Sequence, residues 1–301
     1  MKRAMIQYLY LGRVDYAEGL RLQAELVELR QRERVGNTLL LLEHPPVLTL
    51  GRNASRGNVL ASDELLASRG VSLHEINRGG DVTYHGPGQL VGYPIFDLRS
   101  LRNPASGLRL GPVDFVRLME EALIRVCGDY GVAAGRICKL TGVWCGLPAG
   151  HAGTDCAAAP QSVSGGRKIC AIGIHVARGV TSHGFAFNVR TDLRDFMLIN
   201  PCGITDRPVT SLEREAAEPA ALPGLEAIAR QTARHFGAVF EEPATELDGL
   251  AALRARAAEG ADGEFPGREF QAPVFPAVDT PLQVPAAIER LQGKRERPVR
   301  A

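Results

Sequence analysis

Lysine is scarce in this chain of 301 residues. It occupies only positions 2, 139, 168 and 294, so the other 31 of the 35 basic residues are arginine. Arginine is therefore the general-purpose cation of the chain. An internal lysine indicates a site that needs an amine able to release its proton, which a guanidinium cannot do.

Several other features are missing. The formal net charge is only +1, so bulk electrostatics favour neither a nucleic acid nor a membrane surface as a partner. No stretch approaches the roughly 18 apolar residues of a membrane span. The apolar run near the start breaks at Gly12 and is too short for a secretory signal. We therefore expect a cytoplasmic protein that binds neither nucleic acid nor membrane.

The six cysteines include no Cys-x-x-Cys pair, which disfavours a structural zinc site, and we expect no bound metal. A disulfide framework is not expected in a cytoplasmic chain of this size. Most of the cysteines are predicted to be small buried hydrophobic residues; these are Cys127, Cys138, Cys145, Cys156 and Cys170.

Hydrophobic periodicity predicts helices and strands that interleave. The predicted helices cover residues 15–34, 62–67, 113–130 and 222–240, with a further helix possible at 247–258. The predicted strands cover residues 4–11, 39–42, 47–50, 71–76, 90–98, 137–144, 168–177 and 183–189. Because several strands follow one another through short connections, the pattern favours an α+β fold, with a mixed sheet packed with helices, over a doubly wound parallel sheet.

A polar, glycine-rich segment at residues 77–88 is predicted to be a shaped loop that approaches a ligand closely. It begins Arg78-Gly79-Gly80-Asp81-Val82-Thr83-Tyr84-His85 and continues Gly86-Pro87-Gly88-Gln89. An ordinary solvent-exposed loop is the alternative. The segment is neither a P-loop nor a dinucleotide fingerprint, since a strand and not a helix follows it.

Two reactive residues stand out further along the chain. Lys168 shares a strand face with Cys170 and Ile172, so its amine either reaches back to water or lies desolvated. Cys202 lies between Pro201 and Gly203 in a predicted turn, where its thiolate can be reached by a substrate. Each residue taken alone is more often structural.

These segments together resemble the octanoyltransferases of the lipoate pathway. The resemblance rests on residues 78–94, on Lys168 followed by Ala171-Ile172-Gly173, on His183-Gly184-Phe185-Ala186, and on Asn200-Pro201-Cys202-Gly203. It covers roughly residues 5–240. It implies the fold of the biotin and lipoate protein ligase catalytic domains.

The resemblance also implies a reaction. An octanoyl group passes from acyl carrier protein, where it is linked to phosphopantetheine, to a lysine of a lipoyl domain. Such domains belong to 2-oxoacid dehydrogenase complexes and include the H protein of the glycine cleavage system. Cys202 is implied as the nucleophile that forms an acyl thioester, and Lys168 as the residue that activates it, with no cofactor. The implied acyl-binding residues are Arg78, Gly79, Gly80, Asp81, Val82, Thr83, Tyr84, His85, Ala171, Ile172, Gly173, Gly184, Phe185 and Ala186, with His183 in a possible supporting role.

The expected organisation is a catalytic domain at residues 1–242, with a mobile insertion at 147–166, and a partly disordered extension at 243–301. Two rival functions stay open. An ATP-dependent lipoate or biotin-type ligase would use the same fold without a Cys–Lys pair. A non-catalytic protein that binds the acyl carrier or the lipoyl domain would form no covalent intermediate.

Overall fold

A computed structural model describes residues 5–148, 165–200 and 207–259. The strands in these parts are β1 (Ile6–Arg13), β2 (Asn37–Glu43), β3 (Val47–Leu50), β4 (Ser72–Glu75), β5 (Val82–His85), β6 (Gln89–Ile95), β7 (Ala134–Ile137), β8 (Leu140–Cys145), β9 (Arg167–Ala177), β10 (Val180–Asn188) and β11 (Ala244–Glu246). The helices are α1 (Tyr16–Gln31), α2 (Asp63–Ser68), α3 (Pro112–Asp129), α4 (Leu212–Glu215), α5 (Leu225–Val239) and α6 (Gly249–Glu259).

One large mixed sheet and one small sheet organise the described chain. The large sheet has the strand order β11-β1-β2-β6-β10-β9-β8-β7. Its first three strands are parallel and the remaining pairs are antiparallel. The small sheet has the order β4-β3-β5. The prediction of an α+β fold with a mixed sheet is confirmed.

The two faces of the large sheet bury different residues of the same strand. Along β2, Leu39 and Leu41 belong to the core under α3 and α5, while Leu40 and Leu42 belong to the core under α1 and α6. All four leucines are fully buried. This alternation follows from the two-residue period of a strand, and it explains why a strand covered on both faces is a continuous apolar run.

Capping residues set the starts of two helices. The carboxylate of Asp15 accepts the backbone N–H groups of Ala17 and Glu18 at the start of α1. The hydroxyl of Ser62 accepts the N–H of Leu65 at the start of α2. Each cap satisfies N–H donors that lack a partner within the helix. The short helix predicted from Ser62 is confirmed, with Ser62 as its N-cap.

Two predictions of local structure are wrong. Residues 77–88 are not all loop, since residues 82–85 form β5 and pair with β3. The single strand predicted at 137–144 is a hairpin of β7 and β8, with Lys139 in the turn at φ 64°. Periodicity overlooked this turn because its residues, Cys138 and Lys139, are not typical turn formers.

The chain continues within the large sheet after residue 242. β11 pairs in parallel with β1, and Leu253 and Ala257 of α6 are buried against the same core as Leu40. The segment 244–259 therefore completes one edge and one face of the sheet. Residues 149–164 of the predicted insertion, and residues 260–301 of the predicted extension, lie outside the described chain. Among the described residues, no helix combines the length and the apolar character of a membrane span.

Candidate functional site

A cavity of about 400 Å³ opens where the small sheet meets β9 and β10. It is lined by most of the residues that the sequence singled out. These are Arg78, Gly79, Gly80, Asp81, Thr83, His85, Lys168, Ala171, Ile172, Gly173, His183, Gly184, Phe185 and Ala186. Three segments that are far apart in the sequence thus share one cavity. Its volume is within the range of small-molecule sites.

Strand β5 sorts its residues between the cavity and the core. Thr83 and His85 line the cavity, whereas Val82 and Tyr84 belong to a separate apolar core beneath the small sheet. The Tyr84 hydroxyl donates to a carboxylate oxygen of Asp195 at 2.7 Å. Val82 and Tyr84 therefore support the cavity from behind and do not line it, because successive side chains of a strand point to opposite faces.

Arg78 is a buried cation at the cavity wall, with 8% of its surface exposed. Its Nη2 donates to the backbone oxygen of Thr49 at 2.8 Å and to the Thr49 hydroxyl at 2.9 Å, and its Nη1 donates to the Gly79 oxygen at 3.1 Å. The planar guanidinium holds several N–H donors in a fixed geometry, so it can donate all these hydrogen bonds simultaneously. Arg78 thus joins β3 to the glycine-rich segment and brings positive charge to the cavity.

Glycines allow the backbone to come close at this wall. The N–H of Gly79 donates to the oxygen of Ile174 in β9 at 3.0 Å. A Cβ atom at Gly173 would lie 2.5 Å from the Gly79 oxygen, and one at Gly184 would lie 2.1 Å from the Gly92 oxygen. No side chain fits at either position, so glycine here serves close packing of the wall.

Lys168 is buried at the start of β9, with 8% of its surface exposed. Its Nζ lies 4.7 Å from the ring centroid of Trp144, within the range of a cation–π contact. The backbone of Lys168 is fixed on both sides, since its N–H donates to Pro208 and its oxygen accepts from Thr210, each at 2.9 Å. The amine is therefore held in the cavity wall and does not extend freely into water.

Cys202 lies outside the described residues, in the gap at 201–206. The chain on either side of this gap reaches the cavity lining. Before the gap, the N–H of Asn200 donates to the Asn58 oxygen at 2.7 Å, and the Asn58 amide donates to the cavity residue Asp81 at 2.6 Å. After the gap, Pro208 pairs with Lys168.

His183 carries backbone strain within a regular strand. It adopts φ 56°, and its N–H donates to the amide oxygen of Gln23 from α1 at 2.7 Å. Its Nε2 lies 2.7 Å from the Asn77 amide oxygen. A left-handed conformation at a non-glycine residue costs about 1–3 kcal/mol, and such residues are enriched at functional sites. Burial lowers the pKa of His183 to about 3, so its imidazole is neutral.

A cluster of aromatic and imidazole rings forms another part of the wall, in which Tyr16, His85 and Tyr93 line the cavity and His44 is buried beside them. The ring centroids of Tyr16 and His85 lie 6.0 Å apart, and those of His44 and His85 also lie 6.0 Å apart. The Tyr93 hydroxyl lies 2.7 Å from His44 Nε2. Burial lowers the pKa of His85 to about 3 and that of His44 to about 4. All these groups are uncharged at neutral pH.

Sequence reasoning missed six residues of the lining. They are Tyr16, Asn53, Tyr93, Lys139, Leu140 and Thr141. Lys139 is the one that the sequence already marked, since it is another of the rare lysines. Of the remaining five, Tyr93 lies within the segment 78–94 but was not assigned to the site, and the other four carry no signal in their own positions. All five reach the cavity through the packing of α1, of the segment after β3 that holds Asn53, of β6, and of the β7–β8 hairpin.

The described cysteines divide into two kinds. Cys127, Cys145 and Cys170 are buried and free, and burial raises the pKa of each thiol, that of Cys145 to about 12. These three are therefore poor nucleophiles, as predicted for structural cysteines. Cys138 is half-buried and disulfide-bonded, so the prediction that it is a small buried hydrophobic residue is wrong. Cys156, like Cys202, lies outside the described residues.

The family model described as the lipoyl protein ligase A/B catalytic domain matches residues 15–236. Octanoyltransferases are among the similar proteins. That of Acidobacterium capsulatum is 57% identical over 256 residues, covering 83% of this chain and 98% of the relative. That of Koribacter versatilis is 52% identical over 246 residues, covering 82% of this chain and 88% of the relative.

Solved structures with a similar fold are lipoate protein ligases. The bipartite ligase of the archaeon Thermoplasma acidophilum has a TM-score of 0.57 and 16% identity, covering 85% of this chain and 91% of that one. A lipoate-protein ligase A bound with ATP has a TM-score of 0.56 and 15% identity, covering 85% and 93%. At these identities the likeness shows the fold alone, and it confirms the ligase-like catalytic-domain fold expected from the sequence.

Proposed function

Since the chain belongs to the lipoyl protein ligase A/B catalytic-domain family, among its octanoyltransferases, we propose that it transfers an octanoyl group to a lysine of lipoyl domains. The donor in this proposal is octanoyl-acyl carrier protein, and the setting is the cytoplasm. The acceptors are the lipoyl domains of 2-oxoacid dehydrogenase complexes and the H protein of the glycine cleavage system.

The observation that carries the proposal is the assembly of the cavity. The glycine-rich segment from Arg78, the strand of Lys168 and the strand of Gly184 line one space of about 400 Å³. Its wall combines apolar groups such as Ile172 and Phe185 with neutral imidazoles and one buried guanidinium. Such a space suits an alkyl chain that ends in a polar carbonyl group.

Cys202 is the proposed nucleophile. The flanks of its segment are hydrogen-bonded to residues that contact or form the cavity lining, with Asn200 on one side and Pro208 on the other. The three free cysteines of the described chain have thiols with raised pKa values, whereas a nucleophilic cysteine needs a cation near its thiolate. Lys168 supplies a cation in this wall.

The proposed reaction has two balanced steps. The Cys202 thiolate attacks the phosphopantetheine thioester, the carbon–sulfur bond to the carrier breaks, and the leaving thiolate takes a proton from the Lys168 ammonium. This exchange of one thioester for another needs no ATP. The acceptor amine then attacks the acyl-cysteine, the carbon–sulfur bond to Cys202 breaks and frees its thiolate, an amide forms, and the proton released by the amine passes to Lys168. Backbone N–H groups of the cavity stabilise the oxyanion of each step.

The experiment supplies a lipoyl domain with either octanoyl-acyl carrier protein without ATP, or free octanoate with ATP. The mass of the lipoyl domain reports its modification. A reductant is included because Cys138 is disulfide-bonded. We expect an octanoyl adduct with the carrier-bound donor and none with octanoate and ATP. Modification only with octanoate and ATP would indicate a ligase, and no modification in either mixture would favour a binding protein.

A further inference from the structure

A chain of buried hydrogen bonds runs behind the cavity from His85 to the segment beside Lys168. His85 Nδ1 lies 2.8 Å from the amide oxygen of Gln89. The amide nitrogen of Gln89 donates to the Tyr84 backbone oxygen at 3.1 Å and to the Asn188 amide oxygen at 2.9 Å. The amide nitrogen of Asn188 donates to the Thr210 backbone oxygen at 2.9 Å.

Two members of this chain, Tyr84 and Thr210, take part through backbone carbonyl groups, which can only accept hydrogen bonds. The Thr210 oxygen must therefore accept from the amide nitrogen of Asn188. This orientation turns the Asn188 amide oxygen toward Gln89. The Tyr84 backbone oxygen and the Asn188 amide oxygen must then both accept from the amide nitrogen of Gln89. This orientation turns the Gln89 amide oxygen toward His85. A flip of either amide would place two acceptors in contact. Gln89 and Asn188 are 1% and 3% exposed, so water does not compete.

The orientation of Gln89 determines the proton position on His85. An amide oxygen accepts but does not donate, so His85 Nδ1 must carry the proton. The other nitrogen, Nε2, then holds a lone pair, and it has no hydrogen-bond partner among the described residues. His85 lines the cavity, and its neutral ring carries one hydrogen-bond acceptor, Nε2.

We propose that Gln89 is a positioning residue, oriented by Tyr84, Asn188 and Thr210, that holds His85 as its neutral Nδ1–H tautomer with a fixed ring orientation. The tautomer is independent of what the cavity binds. The consequence for catalysis rests on the proposed octanoyl transfer. Without the hydrogen bond to Gln89, the His85 ring can rotate or can present an N–H donor to the acyl chain. Either change misplaces the thioester relative to its nucleophile.

The same network connects His85 to Lys168. Thr210, which accepts from Asn188, donates its own N–H to the Lys168 oxygen at 2.9 Å. The wall of the cavity that carries His85 and the wall that carries Lys168 are thereby joined by polar contacts in the interior. Such fully satisfied buried networks make a site rigid.

Nitrogen-15 NMR of the histidine rings measures which nitrogen of His85 carries the proton in the unmodified protein. A His85→Gln variant assigns the His85 signal. His44 serves as an internal reference, because its Nδ1 lies 2.6 Å from the Val14 backbone oxygen and must also carry a proton. We expect neutral His85 with its proton on Nδ1 at neutral pH. A proton on Nε2, or on both nitrogens, overturns the proposal.

The Gln89→Met variant tests the consequence, since methionine has a similar shape and no amide. We expect His85 to lose its single tautomer and kcat for octanoyl transfer to fall about tenfold or more, with KM for both protein substrates unchanged within about twofold. The control is Asn37→Ala, which removes another buried amide, one that contacts Arg30 and Asp97. We expect it to leave the tautomer and kcat unchanged.

The outcomes separate this inference from the proposed function. A Gln89→Met protein that keeps the Nδ1–H tautomer, or whose kcat falls no more than that of the Asn37→Ala protein, overturns the proposal that Gln89 positions His85. An unmodified protein that transfers no octanoyl group overturns the proposed function. In that case the nitrogen-15 measurement still decides whether Gln89 sets the tautomer of His85.

Discussion

Replacing Glu120 with glutamine should destabilise the protein far more than the same replacement at its neighbour Glu121. The Glu120 side chain is fully buried in α3, whereas 33% of the Glu121 side chain is exposed. Glu120 accepts from Arg117 at 2.7 Å, from Arg136 at 3.2 Å and from the Gly142 backbone N–H at 3.0 Å. The change keeps an oxygen for Gly142 but leaves two guanidinium groups without their shared buried anion.

The magnitude follows from burial. Removing one partner of a buried ion pair costs about 3–5 kcal/mol; since glutamine retains part of the hydrogen bonding and Arg117 and Arg136 are 37% and 17% exposed, we expect a loss of about 2–3 kcal/mol in the free energy of unfolding. At Glu121 the pairs with Arg125 and Arg136 are partly exposed, and a loss of at most about 1 kcal/mol is expected.

Urea unfolding of both variants at neutral pH measures these differences through the midpoint and its slope. Equal losses at the two positions would refute the reasoning that burial decides the effect. The Glu120 variant should also lose octanoyl transfer, because Gly142 lies next to the hairpin residues Leu140 and Thr141 of the cavity lining. A Cβ atom at Gly142 would lie 3.6 Å from Lys168 Cε.

Three further predictions follow from the site. Arg78→Lys should lower kcat about tenfold or more in a transfer assay, because an ammonium cannot reproduce the guanidinium fork; full activity would contradict this role. Gly184→Ala should lower the free energy of unfolding, measured with urea, by about 1–3 kcal/mol, because its Cβ would lie 2.1 Å from the Gly92 oxygen. Gly128→Ala is the control, since a Cβ atom there would have nothing within 4 Å, and it should stabilise α3 by about 0.5–1 kcal/mol. Acidification from pH 7 to 5 should lower the free energy of unfolding by about 2 kcal/mol for each buried neutral histidine. The reason is that these histidines take up protons near pH 6.5 in the unfolded chain but only near pH 3–4 in the folded chain. A free energy of unfolding that does not change with pH would contradict the low pKa values of His44, His85 and His183.

The sequence indicated the cavity wall well wherever its residues are consecutive. The segment from Arg78, the strand of Lys168 and the strand of Gly184 all line the cavity, because glycine content and strand periodicity are local properties. The division of β5 between Thr83 and Tyr84 was not foreseen, since it depends on recognising a strand where glycine and polar residues suggested a loop.

Other features depend on contacts between distant segments. Trp144 lies against Lys168 through a register shift between β8 and β9 at Val143 and Trp144, and a bulge of this kind leaves no reliable pattern in one strand. The hydrogen bond between Gln89 and Asn188 joins residues 99 positions apart. Buried amides at such separations become visible only when the fold brings them together.

The central claim is that the acyl group passes through a thioester on Cys202. Intact-mass analysis after mixing the reduced protein with octanoyl-acyl carrier protein, in the absence of a lipoyl domain, tests it most directly. We expect one octanoyl adduct on the unmodified protein and on Cys127→Ala, whose cysteine is buried and free. The adduct should be absent from Cys202→Ala and should form more slowly on Lys168→Ala. Undiminished octanoyl transfer to a lipoyl domain by Cys202→Ala would contradict the account.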